Sequence, residues 1–214
     1  NLAMVEQRLM VELGVGDLAA ARAVVRAVPA EVGQPAVVAY VANYWDLFWV
    51  LDDAQQRLLL SLAPGDFDGD EASWGIVMAQ TAWLRGDSAR MRSTAQTALA
   101  GFRLHLQNAP DDVQQLLFVG LAEAYLGRKA EAIRDGEAAI RQAPLTGDAS
   151  TAPYFHQVLA RIYVLTGEQE KALDVIEKLL TIPGDLSPGW LRIDPNFAAL
   201  KGNPRFDRLL SSRP

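Results

Sequence analysis

Four glycines constrain the fold of this 214-residue chain more than any other feature. In "ELGVGDLAAAR", "WLRGDSARMR", "YLGRKAEAIR" and "LTGEQEKALD" a glycine follows an apolar run of helical periodicity, and a polar residue opens an alanine-containing one. A residue without Cβ enters left-handed backbone most easily, so each stretch predicts a helix that ends on a glycine and returns antiparallel. Gly86 to Gly127 is 41 residues, Gly127 to Gly167 is 40, and Gly16 to Gly86 is 70, close to two such periods with one glycine skipped. Periods of this length describe stacked helical repeats. Arg85-Gly86-Asp87 spells the tripeptide that integrins recognise, yet here it is one member of a turn series.

Apolar residues recur at helical spacing almost throughout, as in "LAMVEQRLMVEL" and "KALDVIEKLL", and alternating β-branched runs are missing. The expected fold class is therefore all-α. Half of the residues are hydrophobic, enough for a substantial core. A formal net charge of -6 argues against nucleic acid and anionic lipid as partners. With no cysteine, disulfides, thiolate catalysis and cysteine-based zinc sites are excluded. That composition fits a cytoplasmic protein, or an extracytoplasmic one if a membrane anchor lies upstream. The chain opens at Asn1 without an initiator methionine, which suggests a piece of a longer or processed protein.

Around the glycines the residues resemble the tetratricopeptide repeat, whose pattern runs W-x2-L-G-x2-Y, then A-x3-F, an alanine and a proline. The fifth copy supplies His156, Leu159, Ala160 and Tyr163, then Ala172, Ile176, Leu179 and Pro183. The fourth supplies Leu116, Val119 and Gly120, then Ala132, Ala139 and Pro144, with Glu123 at the tyrosine position and Gly136 at the aromatic one, so helix packing there should differ. The third supplies Met78, Ala79, Met91, Ala95 and Ala98, and the first Ala21 and Val25. The second copy, "VVAYVANYWDLFWVLDDAQQRLLLSLAP", lacks its turn glycine and keeps Ala54 and Leu58. The resemblance implies a right-handed superhelix, an α-solenoid of about five helix pairs over residues 1–183, with residues 184–214 as a capping segment on the last repeat. In the third copy "ARMRSTAQTALAGFRLHLQNAP" should run about two turns past the usual stop and form a ledge roughly 10 Å long. "LTGDASTAP" reads as a loop.

Asp194-Pro195 and Asn203-Pro204 signal two short helices, with Phe197, Leu200, Phe206, Leu209 and Leu210 covering the end of the stack. The tail, with "GRKAEAIRDGEAAI" and "PYFHQVLARIYVLTGEQEKALD", is similar to the C-terminal helical segment of bacterial signalling proteins in which a serine/threonine kinase, adenylate cyclase-like or winged-helix domain precedes tetratricopeptide repeats. It covers about the last hundred and thirty residues. That similarity implies a regulatory or partner-binding appendage.

Asp66, Asp68, Asp70 and Glu71 lack the glycine and glutamate spacing of a calcium-binding loop, and read instead as an acidic helix N-terminus. His105 and His156 form no metal motif, and Asp52-Asp53 and Asp111-Asp112 read as caps rather than an acid/base pair. No nucleophile elbow, Walker loop or kinase motif appears, so no enzyme, metal or cofactor is expected. In tetratricopeptide folds the first helix of each pair lines the inner face of the superhelix. The resemblance places Asn43 and Asp46, Gln80 and Trp83, Gln114, Leu117, Leu121 and Tyr125, and Tyr154, Gln157 and Arg161 there as a groove for a protein or peptide partner. The lysines and asparagines that clamp acidic chaperone tails are absent apart from Asn43. A small molecule, or the protein's own upstream domain, is the alternative ligand.

Overall fold

The computed structural model describes residues 2–145 and 151–211, and among these every regular element is helical. Positions 146–150 of the expected loop lie outside the described residues. Helices α1 (Leu2–Val15) and α2 (Leu18–Arg26) form the first pair, α3 (Gln34–Asn43) and α4 (Asp53–Leu60) the second, and α5 (Glu71–Leu84) and α6 (Ser88–Asn108) the third. Then come α7 (Val113–Tyr125) with α8 (Lys129–Gln142), and α9 (Ala152–Leu165) with α10 (Gln169–Leu179). Partners within a pair pack on one another, and successive pairs follow along the chain.

The four glycines share one turn. Their φ values are 85° at Gly16, 76° at Gly86, 74° at Gly127 and 79° at Gly167. Each glycine N–H donates to the carbonyl three residues back, on Leu13, Trp83, Ala124 or Val164. The N–H that follows donates five residues back, to Glu12, Ala82, Glu123 or Tyr163, which completes a Schellman motif. Asp17 and Asp87 then cap the returning helices by accepting from the amides of Ala20 and Arg90. Arg85 is tied sideways to α4, its Nη1 donating to Asp53 Oδ1 at 2.8 Å. Every residue of the integrin-like tripeptide is thus accounted for by helix punctuation and inter-pair contact.

From the third pair to the fifth the first helix lies inside and the second outside, whereas α1 buries little beyond Leu9 and Leu13. α5 buries Gly75, Ile76, Val77, Met78, Ala79, Gln80, Thr81 and Ala82 in succession, as a helix enclosed on all sides must. α10 buries only the stripe of Ala172, Leu173, Ile176 and Leu179. Small residues set the spacing within pairs: a Cβ on Gly75 would stand 2.8 Å from the Ala98 amide nitrogen, and one on Gly120 2.9 Å from the Gly136 nitrogen. The predicted difference in the fourth pair is therefore a glycine-on-glycine approach. α6 has 21 residues against 14 in α8, and its extension touches α7 where His105 Nδ1 meets Gln115 Oε1 at 3.1 Å.

Two features depart from an open, curved stack. The second pair, which lacks the glycine, joins its helices through a 3-10 segment, Tyr44–Trp49, in which Trp45 and Asp46 adopt left-handed backbone at φ 48° and 57°. Non-glycine residues in that region cost on the order of 1–3 kcal/mol each. The tail also makes three short elements rather than two: α11 (Pro188–Ile193), a 3-10 turn over Pro195–Leu200, and α12 (Pro204–Ser211). Asp194 and Asn203 cap the second and third of them, as their Asx-Pro pairs predict. Phe197, Leu200 and Phe206 are buried, while Leu209 and Leu210 are half-buried.

That tail covers the last pair, where Arg205 bridges Glu170, Asp174 and Glu177, and it also reaches back to the first. Gly189 packs directly on the α1 C-terminus, and Ser187 Oγ donates to the Gly14 carbonyl at 2.5 Å. The Trp190 ring meets Trp49 edge-on at 5.9 Å. One core cluster consequently joins Leu9, Leu13 and Val50 from the N-terminal half to Leu173, Ile176, Trp190 and Phe206 from the C-terminal end. A second core holds the middle pairs together.

Candidate binding groove

Asp46 is the centre of a buried polar network that ties three helix pairs together. The left-handed kink turns its carboxylate inward, where Oδ1 accepts from Gln80 Nε2 at 3.0 Å. Oδ2 accepts from Tyr154 Oη at 2.9 Å and from Arg161 Nη1 at 2.5 Å. Arg161 Nη2 closes the ring by donating to Gln80 Oε1. Asp46 and Arg161 are each 3% exposed and lie 115 residues apart in sequence, so this ion pair is a product of tertiary folding alone. A buried pair is retained only where each charge finds its partner and further hydrogen bonds.

Burial shifts the ionisable groups in and beside the network. Burial holds the Arg161 guanidinium back from its charge, but the Asp46 carboxylate more than offsets this and the arginine is firmly cationic. Burial pushes the Tyr125 hydroxyl up to about 12, with the neighbouring guanidinium offsetting part of the rise. Desolvation, followed by the Asp46 charge, raises Tyr154 well above an ordinary phenol. Both tyrosines are neutral at physiological pH. Tyr125 Oη and Arg161 Nε are buried without a hydrogen-bond partner among the described residues.

In front of this network opens a groove of about 660 Å³. α3 contributes Ala36, Ala39, Tyr40 and Asn43, and the kink contributes Tyr44, Trp45 and Asp46. Asp66, Phe67, Asp68 and Asp70 come from the turn before α5, Ser73 and Ile76 from α5, Gln114 and Phe118 from α7, and Thr151, Tyr154 and Phe155 from the start of α9. Tyr40 and Tyr44 stack with centroids 6.0 Å apart, and Trp45 meets Tyr154 edge-on at 4.4 Å. Tyr40 Oη donates to Glu6, and burial together with that carboxylate pushes the phenol up to about 12. Asp70 caps α5, accepting from the amides of Ala72 and Ser73, and Asp66 accepts from the Ala63 amide. The acidic stretch is thus an N-terminal cap, as its sequence predicts. Among the described residues no set of three or more His, Asp or Glu side chains is grouped to hold a metal ion.

No protein-family model, curated protein or solved structure matches the chain.

The expected groove residues separate into three groups. Asn43, Asp46, Gln114 and Tyr154 line the groove. Gln80, Leu117, Leu121, Tyr125 and Arg161 are buried behind it, because the first helices close on one another instead of standing around an open channel. Trp83 is half-buried against Tyr125 with centroids 6.1 Å apart, and Gln157 lines a narrow cleft on the far side of Tyr154. Tyr40, Tyr44, Trp45, Phe118 and Phe155 line the groove outside the expected set, and so do Asp66, Asp68 and Asp70, which the sequence marks only as an acidic helix N-terminus. One signal was available: five aromatics crowd residues 40–49, in the one repeat that lacks its glycine.

Proposed function

We propose that this protein is a non-catalytic, tetratricopeptide-like interaction module, a superhelix of helix pairs whose ends are latched together, that binds a segment of a partner protein in the groove before Asp46. Its resemblance to repeat segments of bacterial signalling proteins suits a role within such a protein. The observation that carries the reading is the aromatic wall of Tyr40, Tyr44, Trp45 and Tyr154, its Tyr154 end anchored on the buried Asp46–Arg161 pair and its Tyr40 end on Glu6. Rigid aromatic surface contributes contact area at low entropic cost, and a scaffold fixed in advance loses little freedom on binding. The volume also falls in the range of small-molecule sites, which supports the second reading of a sensory domain.

A photo-crosslinking amino acid introduced at Asn43 or Gln114, both exposed at the groove, tests the reading, with exposed Ser93 on α6 as control. Discrete adducts at the groove positions, absent from the control, are expected in cells that make the full-length protein. Equal labelling at Ser93, or none at Asn43 and Gln114, refutes it.

A further inference from the structure

Four aspartates line the groove, and among its described lining residues there is no lysine, arginine or histidine. Asp46 is neutralised from behind by Arg161. Asp66, Asp68 and Asp70 are different: among the described residues none of them enters an ion pair, and Asp66 and Asp68 are exposed. The amides that Asp66 and Asp70 cap satisfy hydrogen bonds and leave each carboxylate charged, the N-terminal dipole of α5 offsetting part of the charge on Asp70. A concavity with low-dielectric walls focuses the field of charges at its edge, so these three carboxylates give the groove a negative potential. Tyr40, Tyr44 and Trp45 share that space, and their ring faces also attract cations.

We infer that the groove takes a basic peptide segment, one or two lysine or arginine side chains lying on the Tyr40–Tyr44–Trp45 wall with their charged ends toward Asp66 and Asp68. This rests on the groove being the binding surface. The carboxylates select charge, and the aromatic and aliphatic walls take the methylene stems, which long cationic side chains bury readily. Phe118 and Phe155 offer apolar contact to a hydrophobic neighbour in the same segment. An acidic peptide, by contrast, would meet the exposed Asp66 and Asp68 carboxylates and the partly dipole-offset Asp70, which is discrimination by repulsion.

The test uses fluorescent nonapeptides of one apolar and aromatic framework in three versions, carrying two lysines, two glutamines or two glutamates, measured by anisotropy against the full chain. The lysine version is expected to bind about tenfold more tightly than the glutamine one, and the glutamate version more weakly still, with the preference shrinking at high salt. Asp66→Asn with Asp68→Asn should cut lysine-peptide affinity about fivefold and leave the glutamine peptide unchanged. Asparagine keeps an acceptor for the Ala63 amide and tolerates the left-handed backbone of Asp68, at φ 55°, so the variant is expected to fold. A glutamine or glutamate peptide that binds best, and is crosslinked at Asn43, overturns the basic preference while leaving the groove as the site. Binding by none of the three peptides overturns the basic-segment assignment, and with no adducts at Asn43 or Gln114 in the crosslinking experiment the groove reading falls as well. Spermidine binding alone, without any peptide, overturns the peptide assignment.

Discussion

Asp46 and Arg161 should behave thermodynamically as one unit. Asp46→Asn keeps the shape of the side chain and suits the left-handed backbone, but leaves Arg161 as a buried cation without its counter-charge. Breaking a buried pair from one side costs about 3–5 kcal/mol, because desolvation of the surviving charge is no longer offset. Arg161→Met should cost a similar amount, stranding the Asp46 carboxylate with only Gln80 and Tyr154 as donors. The double variant removes both charges and both desolvation penalties. At an effective dielectric of about 20, unit charges about 4 Å apart attract by about 4 kcal/mol, so the double variant should fall short of the summed single losses by roughly 2–4 kcal/mol. Urea unfolding followed by tryptophan fluorescence reads this directly, since Trp45 adjoins Asp46 in the kink and packs against Tyr154. Single variants that lose less than about 1 kcal/mol, or losses that simply add, would refute the claim that this pair fixes the array around the groove.

Three further outcomes follow from other contacts. Glu123 is fully buried, its Oε1 accepts from Arg103 Nη2 at 2.7 Å, and burial, reinforced by the Asp135 carboxylate, raises its pKa from 4.5 to about 7. A raised folded-state pKa stabilises the fold fully below about pH 4.5 and that contribution is lost as pH rises through about 7; Glu123→Gln, which mimics the protonated acid, should flatten the decline and exceed the wild type above pH 7 by on the order of 2–3 kcal/mol in urea titrations. Gly189→Ala would set a Cβ 2.6 Å from the Gly14 carbonyl oxygen, so hydrogen exchange should accelerate in α11 and in the last turn of α1 while α5 to α8 stay protected. Gly75→Ala gains helix propensity but forces α5 away from the Ala98 amide, and should lower stability by about 1–3 kcal/mol; an unchanged midpoint would show that the pair spacing is soft.

Much of the fold could be read locally. A glycine at positive φ after an apolar helix is a property of a few consecutive residues, and all four such turns form. Caps are local too, which is why Asp52, Asp70 and Asp112 sit where their spacing places them. The groove was only partly legible, since assigning one face to each first helix requires knowing how closely those helices approach. Gln80 and Leu121 are fully buried because the first helices of successive pairs pack on one another, with Gln80 held between Asp46 and Arg161, which fills the inner face that an open stack would present. In the second pair the absence of a glycine was visible, but its consequence was not: the chain turns at Trp45 and Asp46 against local preference.

By itself the sequence determined an all-helical chain folding back at regular intervals, because hydrophobic periodicity and the conformational freedom of glycine act within a few residues of one another. Only the tertiary structure decided that the C-terminal segment would lie on α1, and that Asp46 would find Arg161 across 115 residues of chain. Neither side chain gains from being buried alone; the strained kink and the buried charges become favourable only together, once packing has brought all three pairs to the same place.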